Sequence, residues 1–180
     1  QKISRKKSFL IETRAGTYET GLNFPDVYIK MFLINKPEFN RTMKIDEETF
    51  PVHSLNTGVP HAVIFVNNVD NVDVKKYGPI IRNHEIFQPA GTNVDWVQIM
   101  DAHHGKIRTY ERGVEDETLA CGTGIVAGVI CGAMLGKFIS PVEIIARSGE
   151  KLRVSFKKDF TEIFLEGGTK LVFEGRWIDR

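Results

Sequence analysis

The chain has 180 residues, 42% of them hydrophobic, a formal net charge of +1 and two cysteines. That size suits one domain, or one domain carrying pieces of another, with enough apolar residues for a packed core. The balanced charge gives no pull toward nucleic acid or an anionic membrane, and two cysteines make no disulfide framework, so a cytoplasmic, reducing setting is expected.

The opening basic cluster, Lys2, Arg5, Lys6 and Lys7, has no interleaved aromatics and reads as a solvated strand flank. The chain starts on Gln and moves at once into strand-like sequence, so it is expected to be cut from something longer. Ser8 to Arg14 alternates, with Phe9, Ile11 and Thr13 on one face, and Ala15-Gly16 turns it. Val27 to Asn35 is a stronger strand, broken at Asn35-Lys36-Pro37. Lys36 to Thr49 is polar and shows no clear period. Phe50 to Leu55 leads through the turn Asn56 to Pro60 into an apolar strand, His61 to Val66. A short helix is expected at Val74 to Asn83, interrupted by Gly78-Pro79 and turning Ile80 and Ile81 inward.

Asp95 to Met100 and Lys106 to Tyr110 read as strands joined by a His103-His104-Gly105 turn. In the second, Ile107 and Thr109 face one way, Arg108 and Tyr110 the other. An acidic loop, Glu115-Asp116-Glu117, then delivers Cys121 to the start of a helix with Ile125, Val126, Val129, Ile130, Ala133 and Met134 at helical spacing. Four further strands are expected, at Val142 to Arg147, Lys151 to Lys157, Glu162 to Glu166 and Lys170 to Trp177, with turns at Ser148-Gly149 and Gly167-Gly168. The fold class is therefore α+β, with mostly antiparallel strands curved around a long central buried helix. The uncharged run Thr118 to Gly136 is about long enough to span a membrane, but it is crowded with Gly, Ala and Thr. Gly128, Gly132 and Gly136 are instead expected to let a sheet press on the helix, with no membrane involved.

Cys121 carries the chemistry. The first N–H groups of a helix have no internal partner and its dipole favours negative charge, so a thiol there is expected to have a depressed pKa. The same N–H groups, at Gly122 and Thr123, suit a carboxylate or phosphate. Cys131, deep in the apolar run, reads as a small core residue. On spacing alone Glu111 and Arg112 would be a surface charge pair, Asn93 a turn residue, and His61 a strand-start histidine with a satisfied ring. No metal site is expected, because His53, His61, His84, His103 and His104 show neither a helical His pair nor a cysteine pair. No GxGxxG follows a strand and no GxxxxGK[ST] exists, so a nucleotide cofactor is unsupported.

These segments, ETLACGTG with YERG and GTNVDWVQ before it, and the earlier TGVPHAVIFV and IETRAG, together resemble the second half of the diaminopimelate epimerases. The resemblance runs from about Ile11 to Trp177. It implies two barrel-like halves, each enclosing a helix, and a cofactor-independent racemase that uses two cysteines, one from each half. Residues 21–167 would then be the C-terminal catalytic domain, while 1–20 and 168–180 would be strands of a largely missing N-terminal domain. By resemblance Cys121 is one catalytic thiol, with Glu111 and His61 near it. Asn93, Glu111, Arg112, Gly122 and Thr123 contact the substrate, Arg112 and Asn93 at its distal end. The implied substrate is the small amino acid diaminopimelate, in lysine and cell-wall precursor synthesis. The implied partner is the N-terminal half, with a homodimer as a further candidate. Where the family often reads GNPH this chain reads GVPH, so Asn56 or Thr57 would have to act in place of an asparagine at Val59. The acidic loop before Cys121 is also a residue longer than the common form. Two other functions stay open: an isomerase of the same fold with another substrate, and a non-catalytic ligand-binding or assembly half.

Overall fold

The structure, a computed structural model, describes residues 7–176 and 178 apart from 15, 24 and 46. Lys2, Arg5, Lys6, Ala15 and Trp177 lie outside the described residues. The chain runs β1 (Ser8–Thr13), β2 (Gly16–Asn23), β3 (Asp26–Met31), β4 (Glu38–Ile45), β5 (Glu48–Asn56), β6 (Pro60–Phe65), α1 (Val74–Arg82), β7 (Asn93–Ile99) and β8 (His104–Glu111). It continues with β9 (Asp116–Thr118), α2 (Gly122–Met134), β10 (Val142–Ile145), β11 (Lys151–Phe156) and β12 (Ile163–Gly167). All strands join one mixed sheet in the order β1-β2-β3-β12-β11-β10-β8-β7-β6-β5-β4, with β9 added to β8. The result is a sheet-dominated α+β fold with two helices.

Two neighbouring pairs, β6/β7 and β8/β10, are parallel and the rest are antiparallel. A parallel pair needs a crossover, and the two helices are those crossovers: α1 lies between β6 and β7 in sequence, and α2 between β8 and β10. They cover opposite faces of the sheet. Ala62, Ile64, Val94, Trp96 and Tyr110 pack toward Val74 and Ile81 of α1. Val63, Val97 and Ile107 pack toward Ile125, Val129 and Ile130 of α2. This double cover leaves β7 buried on both faces from Asn93 to Val97.

The topology also forces curvature. Strands β3 and β4 follow each other in sequence yet stand eight strand spacings apart along the sheet. In a flat sheet that is roughly 38 Å, whereas the link from Met31 to Glu38 reaches at most roughly 25 Å. The sheet therefore curls, and inside the link the Ile34 N–H donates to the Asn56 carbonyl of β5 at 2.9 Å. α2 lies on the concave side, buried from Gly124 to Gly132 and in contact with β5, β6, β7, β8 and β11.

Several elements differ from the sequence expectation. Lys36 to Thr49 holds β4 and the start of β5, a hairpin whose polar residues hide its strand character. α1 runs unbroken through Gly78-Pro79 because both ends are capped: the Asp73 carboxylate accepts from the Lys76 N–H at 3.1 Å, and the Asn83 amide donates to the Pro79 carbonyl at 2.9 Å. Gly78 is required by packing, since a Cβ there would lie 2.9 Å from Cβ of Tyr110. Ile81 is buried, but Ile80 is 43% exposed, one position round the helix from the buried stripe. The acidic loop forms β9 and fixes Glu117 on the Arg108 guanidinium at 2.6 and 2.8 Å. β3 ends at Met31, four residues early. Residues 168–176 form no strand, for no neighbouring edge receives them, and Leu171 and Phe173 are exposed. Among the described residues no helix is long and apolar enough to cross a membrane.

Candidate active site at the mouth of the second helix

Cys121 is the N-cap residue of α2, with extended φ and ψ of −126° and 104°, and its carbonyl accepts the first helical bond from Ile125 at 2.9 Å. Its Sγ lies 3.4 Å from Oγ1 of Thr123. The Thr123 carbonyl in turn accepts from the Thr57 hydroxyl at 3.1 Å, which ties the β5–β6 turn to the first turn of α2. Of the two candidates to act in place of an asparagine at Val59, Thr57 thus reaches the helix. Asn56 is turned back on its own loop, accepting from the Gly58 N–H at 2.9 Å.

The thiol does not behave as its helix position alone suggests. Burial pushes Cys121 up from 9.0 to about 12, and the negative charge of Asp95 pushes the same way. The Thr123 hydroxyl and Gly124 N–H pull it down by less. The expectation of a depressed pKa is corrected accordingly: with the residue only 8% exposed, loss of water outweighs the helix N-terminus. Cys131 is pushed to about 12 by burial as well, and both cysteines are free.

Asp95 is the residue that sequence reasoning missed. It is 0% exposed on β7; its Oδ2 lies 2.7 Å from Nδ1 of His61, and its Oδ1 accepts from the Thr109 hydroxyl at 2.7 Å. A Cβ on Gly124 would run into this carboxylate, so the glycine makes room for the acid under the helix. The available signal was a charge between the apolar Val94 and Trp96, since an acid buried in such a place must be paired.

The remaining predicted residues cluster at the end of β8. Glu111 is half-buried, and its Oε1 accepts from the Thr118 hydroxyl at 2.6 Å. Its charge is another that raises the Cys121 thiol. Asn93 is buried, and its Oδ1 accepts from the backbone N–H of Arg112 at 2.8 Å, so it fixes the chain from which Arg112 springs. The Arg112 guanidinium donates to the Ala90 carbonyl at 3.0 Å. No ion pair joins Glu111 and Arg112, and among the described residues Arg112 has no carboxylate partner. A cavity of about 400 Å³ is lined by Arg112, Thr92, His61, Asn56, Arg41 and Lys36, among others. Its described walls include neither Cys121, Gly122 and Thr123 nor Glu111 and Asn93, so the site residues form two adjoining groups.

Comparison with known proteins follows this geometry. The family model described as diaminopimelate epimerase matches residues 53–172. The diaminopimelate epimerase of Aquifex aeolicus (strain VF5) is 46% identical over 164 residues, covering 91% of this chain and 57% of that protein. That of Hydrogenobaculum sp. (strain Y04AAS1) is 45% identical, covering 94% and 62%. That of Chlorobaculum tepidum is 38% identical, covering 94% and 65%. The chain thus spans less than two thirds of the length of these curated relatives. Among solved structures, a hydroxyproline epimerase from Agrobacterium vitis with bound trans-4-OH-L-proline superposes with a TM-score of 0.71 at 14% identity, covering 92% of this chain and 58% of that one. A phenazine biosynthesis protein of the PhzF family from Enterococcus faecalis gives 0.63 at 16% identity, covering 94% and 64%. Identities this low speak for a shared fold alone.

Proposed function

The chain belongs to the diaminopimelate epimerase family, and from that premise we propose that it is the C-terminal half of an amino-acid epimerase interconverting LL- and meso-diaminopimelate. The observation that carries the reading is Cys121 at the N-cap of α2, with an Arg112 that has no carboxylate partner among the described residues. Epimerisation removes the Cα proton from one face and returns one to the other, which two opposed acid/base groups do without a cofactor. Cys121 is a thiol at neutral pH, because its pKa lies near 12. It therefore enters the cycle as the proton donor, and the base on the opposite face comes from the N-terminal half. In the reverse direction the roles exchange.

The N–H groups of Gly122 and Thr123 receive the reacting carboxylate, where negative charge grows as the proton leaves. Arg112, anchored through Asn93, takes the distal carboxylate with its planar fork. Glu111 faces the amino group at the reacting centre, and His61 stands in the wall of the adjoining cavity. In this reading residues 21–167 form one barrel-like half, and 1–20 and 168–180 dock on the other; the exposure of Leu171 at 73% and of Phe173 supports such a docking. The setting is cytoplasmic, and a homodimer of completed enzymes is compatible with the fold.

The test is exchange of the Cα proton of diaminopimelate into deuterated water. The 180-residue chain alone should give none, and adding a separately expressed N-terminal half should restore it. Robust turnover by the chain alone refutes the two-half mechanism.

A further inference from the structure

Thr57 opens the turn that joins β5 to β6, for Asn56 and Pro60 pair across that hairpin. It is 2% exposed, and its hydroxyl donates at 3.1 Å to the Thr123 carbonyl, 66 residues away in the chain. A turn threonine commonly bonds its own backbone; this one reaches across to the first turn of α2 instead. The turn it springs from is braced. The Asn56 side chain accepts from the Gly58 N–H and the Asn56 carbonyl from the Ile34 N–H, each at 2.9 Å. At the far end of the bond stands the residue whose Oγ1 lies 3.4 Å from Sγ of Cys121. Thr123 is thus held by its carbonyl on Thr57 and meets the thiol with its hydroxyl. A hydroxyl beside a thiol can accept from the S–H, and once the proton has left it can turn round and donate to the sulfur. That donation counts here, because burial, Asp95 on β7 and Glu111 on β8 all oppose a charge on Cys121, whereas the Thr123 hydroxyl and the Gly124 N–H favour it.

We propose that Thr57 is a positioning residue for Cys121: by holding the Thr123 carbonyl it fixes the turn of α2 from which the Thr123 hydroxyl meets the sulfur, and so keeps a donor on Sγ when the thiol has lost its proton. Thr57 does not touch the sulfur itself and acts only through Thr123. Without the Thr57 hydroxyl the first turn of α2 loses its tie to the β5–β6 turn, and the Thr123 hydroxyl is no longer kept at the distance a donor needs. The thiolate then loses part of the little support it has. Only the use of that thiolate as a base at Cα rests on the epimerase reading.

The experiment is alkylation of Cys121 by iodoacetamide in the full chain, followed on the Cys121 peptide by mass spectrometry, at pH values below the thiol's titration where the rate tracks the thiolate fraction. Thr123→Val should slow the reaction about ten- to a hundredfold, the loss of one hydrogen bond to a charged group. Thr57→Val keeps the shape but removes the hydroxyl, and should slow it about three- to tenfold. Thr57→Ser keeps the hydroxyl and should react like the wild type. In a Thr123→Val background, Thr57→Val should change nothing further, because the donor it positions is gone. Lost packing or a wetter helix mouth would instead move both backgrounds alike, and that result overturns the proposal. So does a Thr57→Val rate equal to or above the wild type, or a Thr57→Ser rate as low as that of Thr57→Val. If Thr57→Val does not fold, Thr57→Ala takes its place in the cycle, and a wild-type rate in Thr123→Val overturns the proposal by itself. A completed enzyme without Cα exchange would sink the epimerase reading while leaving these alkylation rates intact, so the two failures are distinguishable.

Discussion

Strands β7 and β8 are covered by α1 on one face and by α2 on the other, and the two covers are opposites. α1 is amphipathic: Val74 and Ile81 are buried while Lys75, Lys76 and Ile80 face solvent. α2 is apolar nearly throughout, yet the sheet beneath it carries the buried His61–Asp95–Thr109 chain. The polar helix covers a mostly apolar patch, and the apolar helix covers the buried acid. What decides is the glycine opposite the acid. Gly124 leaves space for a carboxylate, whereas Gly78 leaves space for the Tyr110 ring. A helix's composition thus says little about the chemistry beneath it.

The contrast can be sharpened first with thiols. Ile80→Cys places a reference thiol on the exposed side of α1. Against it, Cys121 should show roughly 10³-fold less thiolate at neutral pH, because its pKa is raised from 9.0 to about 12. Alkylation rates followed against pH should therefore keep rising for Cys121 well beyond the plateau of the reference. A plateau near the ordinary thiol range would mean that water reaches the helix mouth and that α2 does not shield its site.

Truncation comes next. Ile130→Ala, under the full cover of α2, should cost about 2–5 kcal/mol in denaturant unfolding, and Ile80→Ala on the open side of α1 within about 0.5 kcal/mol. Similar losses would erase the distinction between a buried and a half-exposed cover. Arg112→Lys, at the rim of the α2 side, keeps the charge but loses the two-pronged donor. In the completed enzyme its kcat/KM for diaminopimelate should fall by about 1.5–3 kcal/mol, with little change for a monocarboxylate such as lysine if that is turned over. Equal losses on both would place Arg112 at the reacting centre or in the fold.

The smallest effects separate the two glycines. Gly124→Ala and Gly78→Ala both overpack, at about 1–3 kcal/mol of stability each. Only the first pushes on Asp95, so only the first should also lower activity at temperatures where both variants are fully folded. If both lower it alike, the space under Gly124 has no special tie to the site.

The start of α2 was legible in the sequence because glycines, a cysteine and a 3.6-residue apolar period coincide there. β10, β11 and β12 were legible from alternation and Gly turns. The β4–β5 hairpin was not, since an edge strand with Asn40, Arg41 and Lys44 lacks the apolar content that marks a buried one. Ile80 was misplaced because one position around a short helix decides burial. The parallel pairing of β6 with β7 is set by the α1 crossover, and no local pattern encodes it. Asp95 was read as the first residue of a strand, for its partners come from β6 and β8. The raised thiol was hidden for a related reason: a helix N-terminus is visible in sequence, but the dryness around it exists only once the sheet has curled.

One seam in that sheet bears on how the molecule opens. β1, β2 and β3 join the remaining strands through β12, and the register pairs Met31 with Ile163 across most of the chain. Pairing between such distant segments must close a long loop before it returns any contact, so it forms late and, being tied in at one edge, is suited to open early. The β6–β8 strands and their two crossovers are local by comparison and form a unit of their own. The molecule can therefore breathe along the β3–β12 line while the strands that carry His61, Asp95 and Glu111 stay in register.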